Sequence, residues 1–220
     1  MRYIYLHGFA SSPLSRKAQF FRERFAESGI ELQVPALDGG DFRRMTVTGQ
    51  LAIIETLAAG KESVLIGSSL GGYVAALYAA AHDSVEKLVL LAPAFGFAER
   101  LEASYGEARI RQWRETGSAA VFHYGEGRER ELAYSFLDDA RGHDRYPAFR
   151  QPALILHGRA DDVVPLAASE HVAETRPDVR LVRLDSGHEL TDALDILWTE
   201  TARFLELSPD SKQQLSPAAK

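Results

Sequence analysis

Cysteine is absent from the sequence, which excludes disulfide bridges, thiolate metal sites and a cysteine nucleophile together. Any covalent chemistry has to use another side chain. Positive charge is not in excess either: 25 Lys and Arg stand against 31 Asp and Glu, for a formal net charge of -6. That balance offers no broad attraction to a phosphate backbone or an anionic lipid surface, so neither nucleic acid nor a membrane is expected as a partner. Long apolar runs are missing too. The nearest approach, Val64 to Ala81, is interrupted by Gly67, Ser68, Ser69, Gly71 and Gly72 and reads as strand, turn and helix, not as a membrane span. Met1 to Leu6 runs at once into His7-Gly8, which leaves no room for a secretory leader. The expected compartment is the cytoplasm.

What is present is the composition of an ordinary globular protein, 45% hydrophobic and 25% charged over 220 residues. A chain of this length can bury roughly 70% of its unfolded surface in a single domain. Short β-rich runs alternate with helix-patterned stretches: Tyr3 to His7, Leu14 to Ser28, Glu31 to Val34, Thr46 to Ala59, Ser63 to Ile66, Leu70 to Ala81 and Lys87 to Leu91. The alternation resumes with Ala153 to His157, Pro165 to Thr175, Val179 to Leu184 and Leu190 to Leu205. Strands separated by helices imply right-handed crossovers, and Leu88-Val89-Leu90-Leu91 and Ala153-Leu154-Ile155-Leu156 read as strands covered on both faces. The expected fold class is α/β, with about six strands in a mainly parallel sheet and helices on both faces.

Between Pro93 and Gln151 the rhythm stops, and residues 93–151 read as a helical, cap-like insertion without a convincing strand. Phe95, Phe97, Tyr105, Trp113, Phe122, Tyr124, Tyr134 and Phe136 fall there, either roofing a site or packing the insertion against the sheet. Residues 1–207 are expected to form one domain, and the polar, Pro-containing tail 208–220 to be flexible.

Gly67-Ser68-Ser69-Leu70-Gly71 matches G-x-S-x-G, the sharp strand-to-helix corner that exposes a nucleophilic serine. A serine held in a strained conformation draws neighbouring main chain close, and Gly67 and Gly71 stand where a Cβ would collide. By composition alone the motif recurs in roughly one chain in ten of this length, so its setting between a strand and an alanine-rich helix carries the weight. The Leu70 N–H at the helix start can donate to an oxyanion, and the loop after the first strand offers a second donor at Phe9. His7 itself reads as a structural histidine bonded to its own loop. Downstream, His157-Gly158-Arg159-Ala160-Asp161-Asp162-Val163-Val164-Pro165 sets two acids at the edge where open α/β sheets bind ligands. The H-G-x-x-D-x-x-V-P spacing favours Asp161 over Asp162 as partner of an imidazole. His188, in Asp185-Ser186-Gly187-His188, follows the last strand, and the order Ser69, Asp161, His188 is the order this type of site uses. The other histidines, His123 and His143 among them, lack paired acids at metal-ligand spacing, so neither a metal nor another cofactor is expected.

These blocks, together with Tyr5-Leu6-His7-Gly8-Phe9-Ala10-Ser11-Ser12-Pro13 and Leu91-Ala92-Pro93-Ala94, resemble the α/β-hydrolase superfamily and, within it, the small bacterial YqiA-type esterases. The resemblance covers nearly the whole chain. It implies a minimal parallel-sheet hydrolase acting on short acyl esters, with Ser69, Asp161 and His188 as its triad. The expected activity is therefore serine-esterase cleavage of a small-molecule ester, as a monomer or homodimer. Thioester hydrolysis or acyl transfer on the same triad is the neighbouring alternative, and a non-catalytic binding protein that kept the fold is the alternative from another class.

Overall fold

The computed structural model describes residues 1–207; the tail expected at 208–220 lies outside them. Six strands, β1 (Arg2–Leu6), β2 (Leu32–Gln33), β3 (Ser63–Ser68), β4 (Val85–Leu91), β7 (Ala153–Gly158) and β8 (Val179–Leu184), form one sheet in the order β2-β1-β3-β4-β7-β8. Every pairing in it is parallel. The expected α/β architecture is the one observed.

The strand sequences explain why both faces are covered. Leu65, Leu88, Leu90, Ala153 and Ile155 face one apolar cluster, while Val64, Ile66, Val89, Leu91, Leu154 and Leu156 face the other. A period of two with apolar residues on both sides leaves no face for water. The first cluster is closed by α2 (Val47–Ala58), α3 (Leu70–Ala81) and α6 (Leu166–Thr175), and the second by α1 (Arg16–Glu27) and α7 (Leu194–Leu205). In α1 the buried set Lys17, Ala18, Phe21 and Phe25 follows helical spacing, and Phe21 and Phe25 meet Trp198 edge-on. Lys17 is the one charged member of that buried stripe. No helix among the described residues is long and apolar enough to cross a membrane.

Two expectations need correction. The insertion is helical at its ends, with α4 (Phe97–Thr116), broken by non-helical backbone at Gly106, and α5 (Ser135–Arg141). Between them, however, an antiparallel hairpin of β5 (Ser118–His123) and β6 (Arg128–Ala133) stands where no strand was expected. The charged run Arg128-Glu129-Arg130-Glu131 hides the strand, because two of its charges, Arg128 and Arg130, share the face of Leu132 and, across the hairpin, of Val121, where an alternating strand would show apolar residues. Pairing and tertiary packing thus override a local pattern that reads as a solvated helix. Trp113 ties the hairpin to α4 by donating from Nε1 to the Leu132 carbonyl at 2.9 Å. The second correction is at α7, which begins at Leu194 and not at Leu190, because Leu190 takes a left-handed conformation (φ 53°) that keeps the chain in a loop as far as Ala193.

Candidate active site

All the segments of interest leave the sheet at the same, C-terminal edge. Leu6 lies beside Gly67, Ser68 beside Leu91, Leu91 beside Leu156 and Gly158 beside Leu184. The loops after β1, β3, β7 and β8 are therefore neighbours, although they are far apart in sequence.

Between β3 and α3 the chain turns on Ser69, which has φ 53° and ψ -117°. For a residue with a Cβ that conformation costs on the order of 1–3 kcal/mol, and its surroundings enforce it. A Cβ on Gly67 would lie 2.4 Å from the Gly71 carbonyl oxygen, and one on Gly71 would lie 2.2 Å from the Leu6 carbonyl oxygen. No side chain fits at either position. The Ser69 N–H donates to the Leu91 carbonyl at 2.9 Å, and the Ser69 carbonyl accepts from the N–H groups of Gly72, Tyr73 and Ala94 at 3.0–3.1 Å. The corner is thereby tied to its own helix and to the loop after β4.

The hydroxyl of Ser69 is 3.0 Å from His188 Nε2, and His188 Nδ1 is 2.8 Å from Asp161 Oδ2. The structure thus brings three residues from three loops into one hydrogen-bonded line. Asp162, by contrast, is exposed. The Asp161 side chain is fully covered and the His188 side chain 12% exposed, so the line is sheltered and still reachable from solvent at the Ser69 end.

Asp161 is held on every side. Its Oδ1 accepts from the N–H groups of Val163 (2.9 Å) and Val164 (2.7 Å), and its Oδ2 also lies 3.1 Å from His157 Nε2. Burial alone would push its pKa up; hydrogen bonds from His157 and His188 and the Val164 N–H outweigh that and hold the carboxyl well below the usual range. The linkage has a definite sign. A carboxyl that is more acidic folded than unfolded contributes stability above its unfolded pKa and loses it as pH falls towards the folded value. Acid unfolding below about pH 4 should therefore have a shallower pH slope in Asp161→Asn than in the parent protein. Chemical denaturation across that range measures it, and equal slopes would contradict the assignment.

The remaining candidates occupy the flank of the nucleophile. Leu70 opens α3, so its N–H lies at the positive end of that helix. A Cβ on Gly8 would come within 3.4 Å of the Ser69 Cβ, which sets the His7-Gly8-Phe9 loop against the serine. Neither Phe9 N–H nor Leu70 N–H donates to a protein acceptor among the described residues, and both are free for a ligand oxygen. The Phe9 ring packs against Phe97 (5.6 Å) and Phe136 (5.4 Å), so the insertion buttresses this loop. The hairpin reaches it as well, with the Tyr124 N–H donating to the Ala10 carbonyl at 2.7 Å. His7 is buried beneath: its Nε2 accepts from the Leu37 N–H at 3.3 Å, and Nδ1 lies 3.0 Å from the Gly8 carbonyl. Burial keeps this imidazole below its ordinary pKa, which suits a neutral strut.

Three contributors escape sequence reasoning. His157 is fully buried, with Nδ1 2.8 Å from Ser169 Oγ and Nε2 2.9 Å from the Val164 carbonyl, and it backs Asp161. Gly158 permits the approach of the β7 and β8 loops: a Cβ there would lie 2.3 Å from the Ser186 carbonyl oxygen. Lys17 reaches from α1 to the Glu189 carbonyl at 2.6 Å. The H-G pair at a strand end signals the first two, whereas only the lone charge in an apolar stripe signals the third. Among the described residues no group of three or more His, Cys, Asp or Glu side chains is arranged to hold a metal. His123 packs edge-on against Phe42, and His143 lies beside Thr48 and Asp139.

Comparison with known proteins agrees with this architecture. A model of the uncharacterised protein family UPF0227 matches residues 2–205. The human palmitoyl-protein thioesterase ABHD10 is 31% identical over 157 residues, covering 66% of this chain and 50% of that protein. The chain thus spans about half the length of the ABHD10 sequence it matches. The pimeloyl-[acyl-carrier protein] methyl ester esterase of Aromatoleum aromaticum is 26% identical over 234 residues, covering 84% of this chain and 90% of that protein. Among solved structures, mouse alpha/beta hydrolase domain-containing protein 10 superposes with a TM-score of 0.72 at 21% identity, over 94% of this chain and 90% of that one. At that identity the likeness establishes the α/β-hydrolase fold.

Proposed function

The chain belongs to the UPF0227 family, and from that premise we propose that it is a serine hydrolase of carboxylic esters with short acyl chains. The observation that carries the reading is the unbroken line Ser69 Oγ, His188 Nε2, His188 Nδ1, Asp161 Oδ2, with links of 3.0 and 2.8 Å, at a strained corner. A structural serine needs neither the strain nor the partner.

The roles follow from the atoms. His188 Nε2 takes the Ser69 proton as Oγ bonds to the acyl carbon, and the carbonyl π electrons move onto oxygen. The Phe9 and Leu70 N–H groups stabilise that oxyanion. Asp161, kept anionic, stabilises the imidazolium and fixes its tautomer. On collapse the bond to the alcohol oxygen breaks, and His188 returns its proton to the departing alcohol. Water then attacks the acyl-enzyme by the same route, leaving a carboxylic acid and free Ser69. Residues 1–207 act as one catalytic unit, with 93–151 as the cap: Phe97 and Phe136 hold Phe9, so this segment sets both one oxyanion donor and the wall beside it.

The relative named a methyl ester esterase, matched along most of both chains, favours an oxygen ester. The relative named a thioesterase supports thioester cleavage as the second reading, over half of its own length. A panel of p-nitrophenyl esters of increasing acyl length, set beside the matching thioesters, separates them; the expected result is highest kcat/KM on the short oxygen esters. Because a protonated imidazole cannot take the serine proton, turnover should fall on the acidic side of the pH profile. A flat profile there would remove histidine from the mechanism.

A further inference from the structure

Lys17 stands where a lysine is least expected. It is the second residue of α1, near the positive end of the helix dipole, where a cation is disfavoured. It is also 8% exposed and sits in the same buried stripe as Ala18, Phe21 and Phe25. A buried ammonium carries a desolvation penalty that normally calls for a carboxylate partner. Among the described residues Lys17 has none: its one acceptor is the backbone carbonyl of Glu189, at 2.6 Å.

That carbonyl belongs to the residue following His188. The loop that carries the imidazole runs from Asp185 to Ala193, between β8 and α7, and includes the left-handed Leu190. Two supports are internal or come from the β7 loop: Ser186 Oγ donates to the Asp192 carboxylate, and the Ser186 carbonyl accepts from the Ala160 N–H at 3.1 Å. Both lie on the strand side of the sequence or within the loop itself. Lys17 is the support from the neighbouring helix of the same layer, and α1 follows directly on the loop that carries Phe9.

We propose that Lys17 is a positioning residue for the general base: its ammonium group grips the Glu189 carbonyl, fixes His188 in line with Ser69, and adds a positive charge beside the triad. The proposal rests on the serine-hydrolase reading for its kinetic consequences, though not for the contact itself. The charged groups that act on the ammonium are Glu189 on the same loop as His188 and Asp161 from the β7 loop, and both favour the charge that burial pushes against by lowering the lysine's pKa. The groups around the imidazole are Asp161, with His157 behind it, and Ser69. Asp161 favours the imidazolium and Lys17 opposes it.

The test compares the parent protein with Lys17→Met and Lys17→Arg. Methionine fills the space without the charge or the donor and leaves the Glu189 carbonyl without its partner, so Tm should fall by a few degrees while the protein stays folded at the assay temperature. Its kcat should fall on the order of tenfold to a hundredfold through misplacement of the base, with little change in KM. The midpoint of the acidic limb of turnover should move to higher pH. Arginine, which keeps charge and donors, should bring that midpoint back towards the parent value whatever its kcat. Wild-type kcat and an unmoved midpoint in Lys17→Met would overturn the proposal, and so would a kcat loss that disappears at temperatures where the variant is fully folded. Should the parent protein turn over no ester, the hydrolase reading fails separately. The Lys17 assignment is then decided by the titration of the His188 ring resonances by NMR, which should shift upward in Lys17→Met; coincident curves would overturn it.

Discussion

Ser69→Ala is expected to lower kcat on a short-chain p-nitrophenyl ester by several orders of magnitude, on the order of 10⁴-fold or more, while the protein stays folded. The size follows from the chemistry. With Oγ gone there is no acyl-enzyme, and what remains is water placed near the two free N–H donors at Phe9 and Leu70. The fold should not suffer, because the strain at φ 53° is set by Gly67 and Gly71 against the main chain and not by the hydroxyl. Circular dichroism and Tm equal to those of the parent protein are needed alongside the kinetics. Retained turnover in a correctly folded variant would place the chemistry on another residue.

Asp161→Asn should have the next largest effect, a loss of roughly 10³- to 10⁴-fold in kcat, while Asp162→Asn should stay within a few-fold of the parent. Asparagine keeps the shape of the side chain but can present an NH₂ to His188 Nδ1 and favour the wrong tautomer, and it cannot stabilise the imidazolium. The asymmetry between the two acids is what makes the experiment informative. Asp161 is covered and bonded by His188, His157 and two backbone N–H groups, whereas Asp162 points to solvent. A larger loss from Asp162→Asn would reverse the assignment and would require the loop after β7 to rearrange in solution.

The sheet was readable in the sequence because its strands are buried on both faces. Runs such as Leu88 to Leu91 and Ala153 to Leu156 leave no other interpretation at that length, and the alternation with helices supplies the topology. The corner at Ser69 was readable for a steric reason: Gly67 and Gly71 admit no Cβ, and that requirement is written as glycine. What the sequence concealed depends on contacts between distant segments. The β5–β6 hairpin turns Ala119, Val121, His123 and Leu132 towards the core but sets Arg130 on the same face, over the Phe42 ring, so its identity as a sheet comes from pairing and from packing on Trp113. The sequence marks His157 and Lys17 only as an H-G pair and a lone charge, without their roles, for the same reason. A buried histidine and a buried lysine acquire meaning only when the loop ends at Asp161 and Glu189 are seen beside them. The boundary at Leu190 was misplaced because apolar periodicity continues through a residue whose backbone is left-handed.

The central claim is that one serine is made nucleophilic by an imidazole delivered 119 positions later in the chain. Reaction with a fluorophosphonate probe, followed by peptide mass mapping of the parent protein and of His188→Ala, examines it without assuming any substrate. A single adduct on Ser69 in the parent protein, formed far more slowly in the variant, is the predicted result; an unlabelled Ser69, or labelling at the same rate with His188 removed, would contradict it.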